Sequence, residues 1–262
     1  MTGRAAPAAA LVAEAGAASA AERDELARCE RLVIGYRGRG LLPPIDLSLR
    51  RGELWAVIGR NGSGKSTWLK TVLGILPPVA GRVVRAAGRD RFAYVAQAAE
   101  LDELLPVQAR DVVLWGRLRG WSFLNPWPRA ADRRACDDAL AHADAAALRT
   151  RRYGELSMGQ RQRVLFARML ATDADCVFLD EPTAAMDMVA ERDVMERLAH
   201  LTRHHGRAVV VVTHFIGLVA DYADRVLFFD VDNGVVLAGP TGDVLRDDRF
   251  LARYGKVFRD GR

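Results

Sequence analysis

Residues 59 to 67, GRNGSGKST, restrict what this chain can fold into more than any other stretch. They fit the pattern G-x-x-x-x-G-K-[ST], with Gly59, Gly64, Lys65 and Ser66 in its fixed places. The apolar run from Leu54 to Ile58 predicts a buried strand, and Thr67 to Leu73 predicts the helix that follows. Between a strand end and a helix start, the N–H groups of Arg60, Asn61, Gly62, Ser63 and Gly64 can converge on phosphate oxygens. A side chain at the glycines would crowd such a ligand. Lys65 is then placed for β- and γ-phosphates, and the Ser66 hydroxyl for Mg²⁺. A solvated Gly/Ser turn would need neither the strand nor the Lys-Ser pair. This is a nucleotide site.

With 262 residues, 50% hydrophobic and 27% charged, the chain can bury a core as one large domain or a domain with a subdomain. No run approaches about 18 uninterrupted apolar residues, so the chain is not expected to cross a bilayer itself. The formal charge of +5 comes with scattered arginines and no nucleic-acid-reading motif, so no nucleic acid is expected as partner. Cys29, Cys136 and Cys176 stand far apart, without metal-ligand or disulfide spacing, which suits a reducing compartment. His204 and His205 beside Gly206 read as a solvated helix end.

Residues 1 to 29 are expected to be a mobile, alanine-rich tail, and 30 to 262 the folded domain. Arg31 to Tyr36 predicts an edge strand, Ile45 to Leu49 a second, and Phe92 to Ala96 another that ends on Gln97. Tyr36 could stack on an adenine ring or be a half-buried edge tyrosine. Gln97 could ligate Mg²⁺ or position water, or be plain polar rim. From about 98 to 160 the pattern turns helical, with runs at 109–117 and 129–148. Trp121, Phe123 and Trp127, set among prolines, could dock a protein partner or form a small local core.

Ser157 with Gln160 has capping-box spacing, which would leave an outward-facing helix N-terminus suited to an anion or simply capped. Cys176 to Leu179 predicts a central parallel strand presenting Asp180 and Glu181 at its carboxyl end. Asp180 can hold Mg²⁺ through water, and Glu181 can take a proton from attacking water. Val209 to Thr213 predicts a further strand with His214 at the edge where open α/β sheets bind ligands. Asn233-Gly234 between apolar runs predicts a hairpin.

Together these motifs resemble the ATP-binding cassette (ABC) ATPases over residues 30 to 256. The resemblance implies an α/β P-loop core with an antiparallel N-terminal β subdomain and an inserted α-helical subdomain. GRNGSGKST then corresponds to Walker A, Tyr36 to the adenine-stacking aromatic, and Gln97 to the Q-loop glutamine. LSMGQRQR corresponds to the signature, with Ser157, Gly159 and Gln160 facing nucleotide. VFLDEP corresponds to Walker B, Asp187 closes the D-loop, and His214 is the switch histidine that contacts γ-phosphate. The implied assembly is a head-to-tail homodimer sandwiching two ATP with Mg²⁺, bound to integral-membrane permease subunits and joined by a solute-binding protein. It implies a peripheral protein on the cytoplasmic side of a bacterial inner membrane. The signature departs from the usual glycine at Met158.

DVVLWGR at 111–117, DRRACDDAL at 132–140 and the closing VVLAGPTGDVLRDDRFLARYG look like the zinc, manganese and iron importer ATPases. Siderophore and haem importer ATPases share much of this pattern, and an exporter ATPase or a regulatory ATPase acting on a soluble partner would share the motifs. A chromosome-maintenance ATPase would carry a long coiled coil between loop and signature, whereas about ninety residues lie there without heptads.

Overall fold

The computed structural model describes residues 24–86, 92–95, 106–117, 128–172, 174–182 and 188–259. The strands are β1 (Glu25–Val33), β2 (Gly35–Tyr36), β3 (Arg39–Gly40), β4 (Ile45–Arg50), β5 (Leu54–Gly59), β6 (Ala80–Arg85), β7 (Phe92–Val95), β8 (Cys176–Asp180), β9 (Ala208–Val212), β10 (Arg225–Asp230) and β11 (Val235–Pro240). The helices are α1 (Lys65–Val72), α2 (Ala109–Leu114), α3 (Ala130–His142), α4 (Met158–Ala171), α5 (Met188–His205), α6 (Ile216–Tyr222), α7 (Thr241–Arg246) and α8 (Asp248–Arg259).

The central sheet runs β11-β10-β5-β9-β8-β7, parallel except for the β10–β11 hairpin. Its inner strands are apolar on both faces, and alternate side chains feed two cores. Leu54, Ala56 and Ile58 of β5 join Val209 and Val211 of β9 and Val177 and Leu179 of β8 on the face that α5, α6 and Phe250 cover. Trp55 and Val57 join Val210, Val212, Cys176 and Phe178 on the other face, which packs against Trp68 and Leu69 of α1. That second core continues into Leu26, Cys29, Leu32, Ile45 and Leu49 of an antiparallel sheet, β4-β1-β6.

Two boundaries differ from the sequence expectation. The fold begins by Glu25, not Glu30: Leu26, Ala27 and Cys29 are buried strand residues. A register shift between Glu25 and Ala27 puts two successive side chains inside, which erases the alternation that would have marked a strand. β1 is also the middle strand of its sheet, paired with β4 and β6, and not an edge. The helix expected over 129–148 stops at His142, because Asp144 takes a left-handed conformation (φ 50°) and a short 3-10 turn follows at Ala146–Leu148.

A third core gathers Val112 and Val113 of α2, Leu140 of α3, and Val164, Leu165 and Ala167 of α4. α4 links this helical cluster to the main core, where its Met169 is buried. Residues 1–23, the patch of Trp121, Phe123 and Trp127, and both Gln97 and Asp187 lie outside the described residues. Among the described residues, no helix is long and apolar enough to cross a membrane.

Candidate functional site

Three adjacent parallel strands end at one level. Val57 of β5 pairs with Val212 of β9, and Val212 pairs with Asp180 of β8. One or two residues further, the same three strands deliver Gly59, His214 and Glu181 to the carboxyl edge of the sheet.

The loop out of β5 turns through glycines that another residue would obstruct. A Cβ on Gly59 would lie 2.6 Å from both the Phe229 carbonyl oxygen and Ser63 Oγ. Gly62 and Gly64 have φ of 80° and 98°, a region open to glycine and strained for others. Gly64 is followed directly by α1, so the first free N–H groups of that helix face the loop's hollow. The Lys65 ammonium is folded back into this hollow, donating to the carbonyls of Gly59 at 2.9 Å and Arg60 at 3.0 Å. Burial pulls its pKa below the usual lysine value, while the nearby Glu181 and Asp180 carboxylates oppose that shift.

Ser66 Oγ donates to Asp180 Oδ1 at 3.2 Å, and the Tyr94 hydroxyl donates to Asp180 Oδ2 at 3.4 Å. Hydroxyl and carboxylate oxygens in such proximity are the donor set of a hard divalent cation. Asp180 is buried, and Glu181 beside it stands at φ 47°, a left-handed conformation for a glutamate. Strain of this kind persists where the surroundings over-determine it, most often at functional positions. It fixes the direction in which the second acid leaves β8.

Tyr36 lies on the β2–β3 hairpin, whose turn uses Arg37 (φ 50°) and Gly38 (φ 74°). Its hydroxyl and Thr67 Oγ1 are 2.9 Å apart, while the residue remains 53% exposed. The tyrosine is therefore tethered to the start of α1 with much of its ring open, a geometry that suits a stacking platform. His214 is exposed at the end of β9, its ring centroid 4.3 Å from that of Phe215.

Ser157 N-caps α4 as the spacing predicts. Gln160 N–H donates to Ser157 Oγ at 3.4 Å, and Ser157 N–H donates to Gln160 Oε1 at 3.1 Å. Met158 is 51% exposed, and nothing stands within 4 Å of a Cβ placed on Gly159. Among the described contacts, none joins Ser157, Gly159 or Gln160 to the phosphate loop. The structure brings Tyr36, Gly59 to Thr67, Asp180, Glu181 and His214 to one sheet edge and leaves the α4 terminus apart.

Sequence reasoning missed several participants. Tyr94 holds Asp180, and its only signal was a position near the end of a predicted strand. Arg60 pairs with Asp232 at 3.1 Å, and Asp232 pairs with Arg253 of α8 at 2.6 Å. These two guanidiniums, Arg253 foremost, hold the Asp232 carboxyl below the usual range. The phosphate loop is thereby tied to the β10–β11 hairpin and the C-terminal helix, across a separation in sequence that no local pattern reports.

Comparison with known proteins places this geometry. A family model described as ABC transporter matches residues 42–184. The chain is 34% identical over 229 residues to the manganese transport system ATP-binding protein MntB of Listeria innocua, covering 86% of this chain and 94% of that one. It is 36% identical over 232 residues to the zinc transport system ATP-binding protein TroB of Treponema pallidum, covering 86% and 85%. Among solved structures, it matches a protein described as an ABC transporter of metal-chelate type in an inward-facing conformation. That match has a TM-score of 0.78 and 27% identity and covers 88% of this chain and 90% of the other. It also matches an ATP-binding cassette solved as a dimer in a post-hydrolysis state with ADP and Pi. The TM-score there is 0.66 at 25% identity, covering 82% and 99%.

Proposed function

The chain belongs to the ABC transporter family, and from that premise we propose that it is the ATPase subunit driving import of a divalent transition-metal ion through a separate membrane permease. It binds and hydrolyses ATP as the ATPases of this family do. The observation that carries the metal reading is the similarity, over nearly their whole length, to manganese and zinc transport ATP-binding proteins.

The chain's own residues supply the chemistry. Tyr36 offers its open face to adenine, and the glycines of the loop let backbone N–H groups approach the phosphates. Lys65 would exchange its two carbonyl partners for β- and γ-phosphate oxygens, a stronger, charge-assisted pairing. Ser66 and Asp180 are the oxygen pair that would hold Mg²⁺, with Gln97 as a further ligand, and Tyr94 keeps the carboxylate in place. Mg²⁺ at that place supplies neutralisation of charge developing on the phosphates. Glu181 accepts the proton of the attacking water, and His214 contacts the γ-phosphate and orients that water.

One chain holds half of each site. The capped α4 terminus, with Ser157 and Gly159 exposed, would complete the nucleotide site of a second copy, and Asp187 and Gln160 would line the same junction. A two-fold axis makes the exchange reciprocal, so two ATP are enclosed. ATP binding closes the dimer, hydrolysis opens it, and the helical unit of α2, α3 and α4 passes the motion to the permease. The protein would work on the cytoplasmic side of a bacterial membrane, with a solute-binding protein delivering the ion outside.

The experiment is uptake of radioactive manganese, zinc and iron by cells lacking this chain, with and without complementation. Restored uptake of one bare ion by the native chain, and not by Glu181→Gln, is the expected result. Restored uptake of a ferric chelate or haem alone would replace the substrate assignment, and unchanged uptake of all of them would overturn import.

A further inference from the structure

His214 is exposed, yet hydrogen bonds fix the residues on either side of it. Thr213 is 3% exposed, and its N–H donates to the Val57 carbonyl at 3.2 Å, two residues before Gly59. Its hydroxyl donates to Oε1 of Glu191 at 3.2 Å and accepts the N–H of Phe215 at 3.2 Å. Glu191 is 1% exposed and sits in the first turn of α5. Phe215 in turn stacks obliquely beside the His214 ring and leads into α6. The backbone at Thr213 is thus tied to the phosphate-loop strand, and the peptide after His214 closes on a hydroxyl that Glu191 orients.

A carboxyl group is costly in so dry a place unless hydrogen bonds hold it, and a cheaper apolar residue would have packed there. Glu191 accepts from the Thr213 hydroxyl, and that hydroxyl shapes the histidine loop. A hydroxyl that must donate to Glu191 has its lone pairs free for the Phe215 N–H, so the carboxyl sets the direction of the whole chain of bonds.

We propose that Glu191 is a positioning residue for His214, acting through the Thr213 hydroxyl to set how the imidazole leaves the sheet edge. The inference rests on the reading of His214 as the γ-phosphate contact. α5 begins at Met188, the residue after Asp187, so the helix following that aspartate and the histidine loop share a buried link.

The test compares ATPase kinetics of the full chain across four variants, with ATP binding and melting temperature measured on each. Thr213→Val keeps the shape and removes the hydroxyl; its kcat is expected to fall about tenfold or more while KM for ATP stays within about twofold. Thr213→Ser restores the hydroxyl and should restore kcat to within about threefold of the native chain. Glu191→Gln keeps an acceptor oxygen and the volume, and should also stay within about threefold. His214→Ala separates the two readings. If it is inactive while Thr213→Val turns over at the native rate, the positioning role is overturned and the histidine role stands. If His214→Ala itself turns over normally, the histidine reading and the inference fall together. Should Thr213→Val not fold, Thr213→Ser and Glu191→Gln decide: a tenfold loss in either, with ATP binding and melting intact, overturns the hydroxyl-to-carboxyl link.

Discussion

Ser66, in the first turn of α1, donates a 3.2 Å hydrogen bond to Asp180, 114 residues away at the end of β8. Strand order brings them together: β9 alone separates β5 from β8, and the three run parallel to one edge. Two oxygens so held suit a divalent cation better than they suit each other. Asp180→Asn keeps the hydrogen-bond geometry and removes the charge. The Mg²⁺ concentration giving half-maximal ATPase is expected to rise about 10- to 100-fold. A titration at saturating ATP checks it, and an unchanged midpoint would remove Asp180 from the metal site.

Lys65 makes two predictions of opposite sign. Lys65→Met should weaken ATP binding about 10- to 100-fold, since a hydrogen bond to a charged group is worth roughly 1.5–3 kcal/mol. Stability should move the other way. The folded-state pKa of Lys65 is depressed, chiefly by burial, so the unfolded chain holds its proton more tightly. Stability therefore rises with pH through the window between the depressed pKa and the usual lysine value of 10.5. Lys65→Met lacks that term, so its advantage over the native chain is expected to be full at neutral pH and to shrink as 10.5 is approached. Denaturant melts of both proteins at neutral and alkaline pH would show the convergence.

Glu181 stands at φ 47° whether or not it can act as a base, so Glu181→Gln leaves the backbone conformation unchanged in kind. Turnover is expected to fall about 100-fold or more, within the range general bases supply. ATP binding should survive, and a dimer should accumulate on size-exclusion chromatography in ATP and Mg²⁺. Normal turnover would remove Glu181 as the base.

Gly59→Ala would push a methyl group to 2.6 Å from the Phe229 carbonyl oxygen and Ser63 Oγ. The backbone on the Phe229 side belongs to β10, paired with β5, and cannot move aside without loosening the sheet. The expected loss is about 1–3 kcal/mol. It should appear as a lower melting temperature together with weaker ATP binding, because the same loop does both.

Met158 is 51% exposed at the α4 terminus, where the Ser157 hydroxyl and Gly159 N–H remain available beside it. Met158→Gly is expected to change the ATPase rate by less than about tenfold. A larger change in steady-state kinetics would mean that the thioether side chain itself shapes the closed site.

The sequence alone determined the elements whose physics is local. A strand, a glycine loop and a Lys-Ser helix start announce a phosphate site, because backbone N–H groups and glycine conformations are set within nine residues. Four apolar residues before Asp180 announce a central strand, and the spacing of Ser157 and Gln160 announces a cap that the structure contains. Tertiary structure decided what depends on groups far apart in the chain. A register shift hides the alternation at the start of β1, and its mid-sheet place comes from pairing with β4 on one side and β6 on the other. That Tyr94 braces Asp180, that Asp232 joins Arg60 to Arg253, and that Glu191 meets the Thr213 hydroxyl all follow from strand order and helix packing. No window of sequence reports these pairings, because a buried carboxyl takes its meaning from the hydroxyl it meets, and only the packed sheet brings the two together.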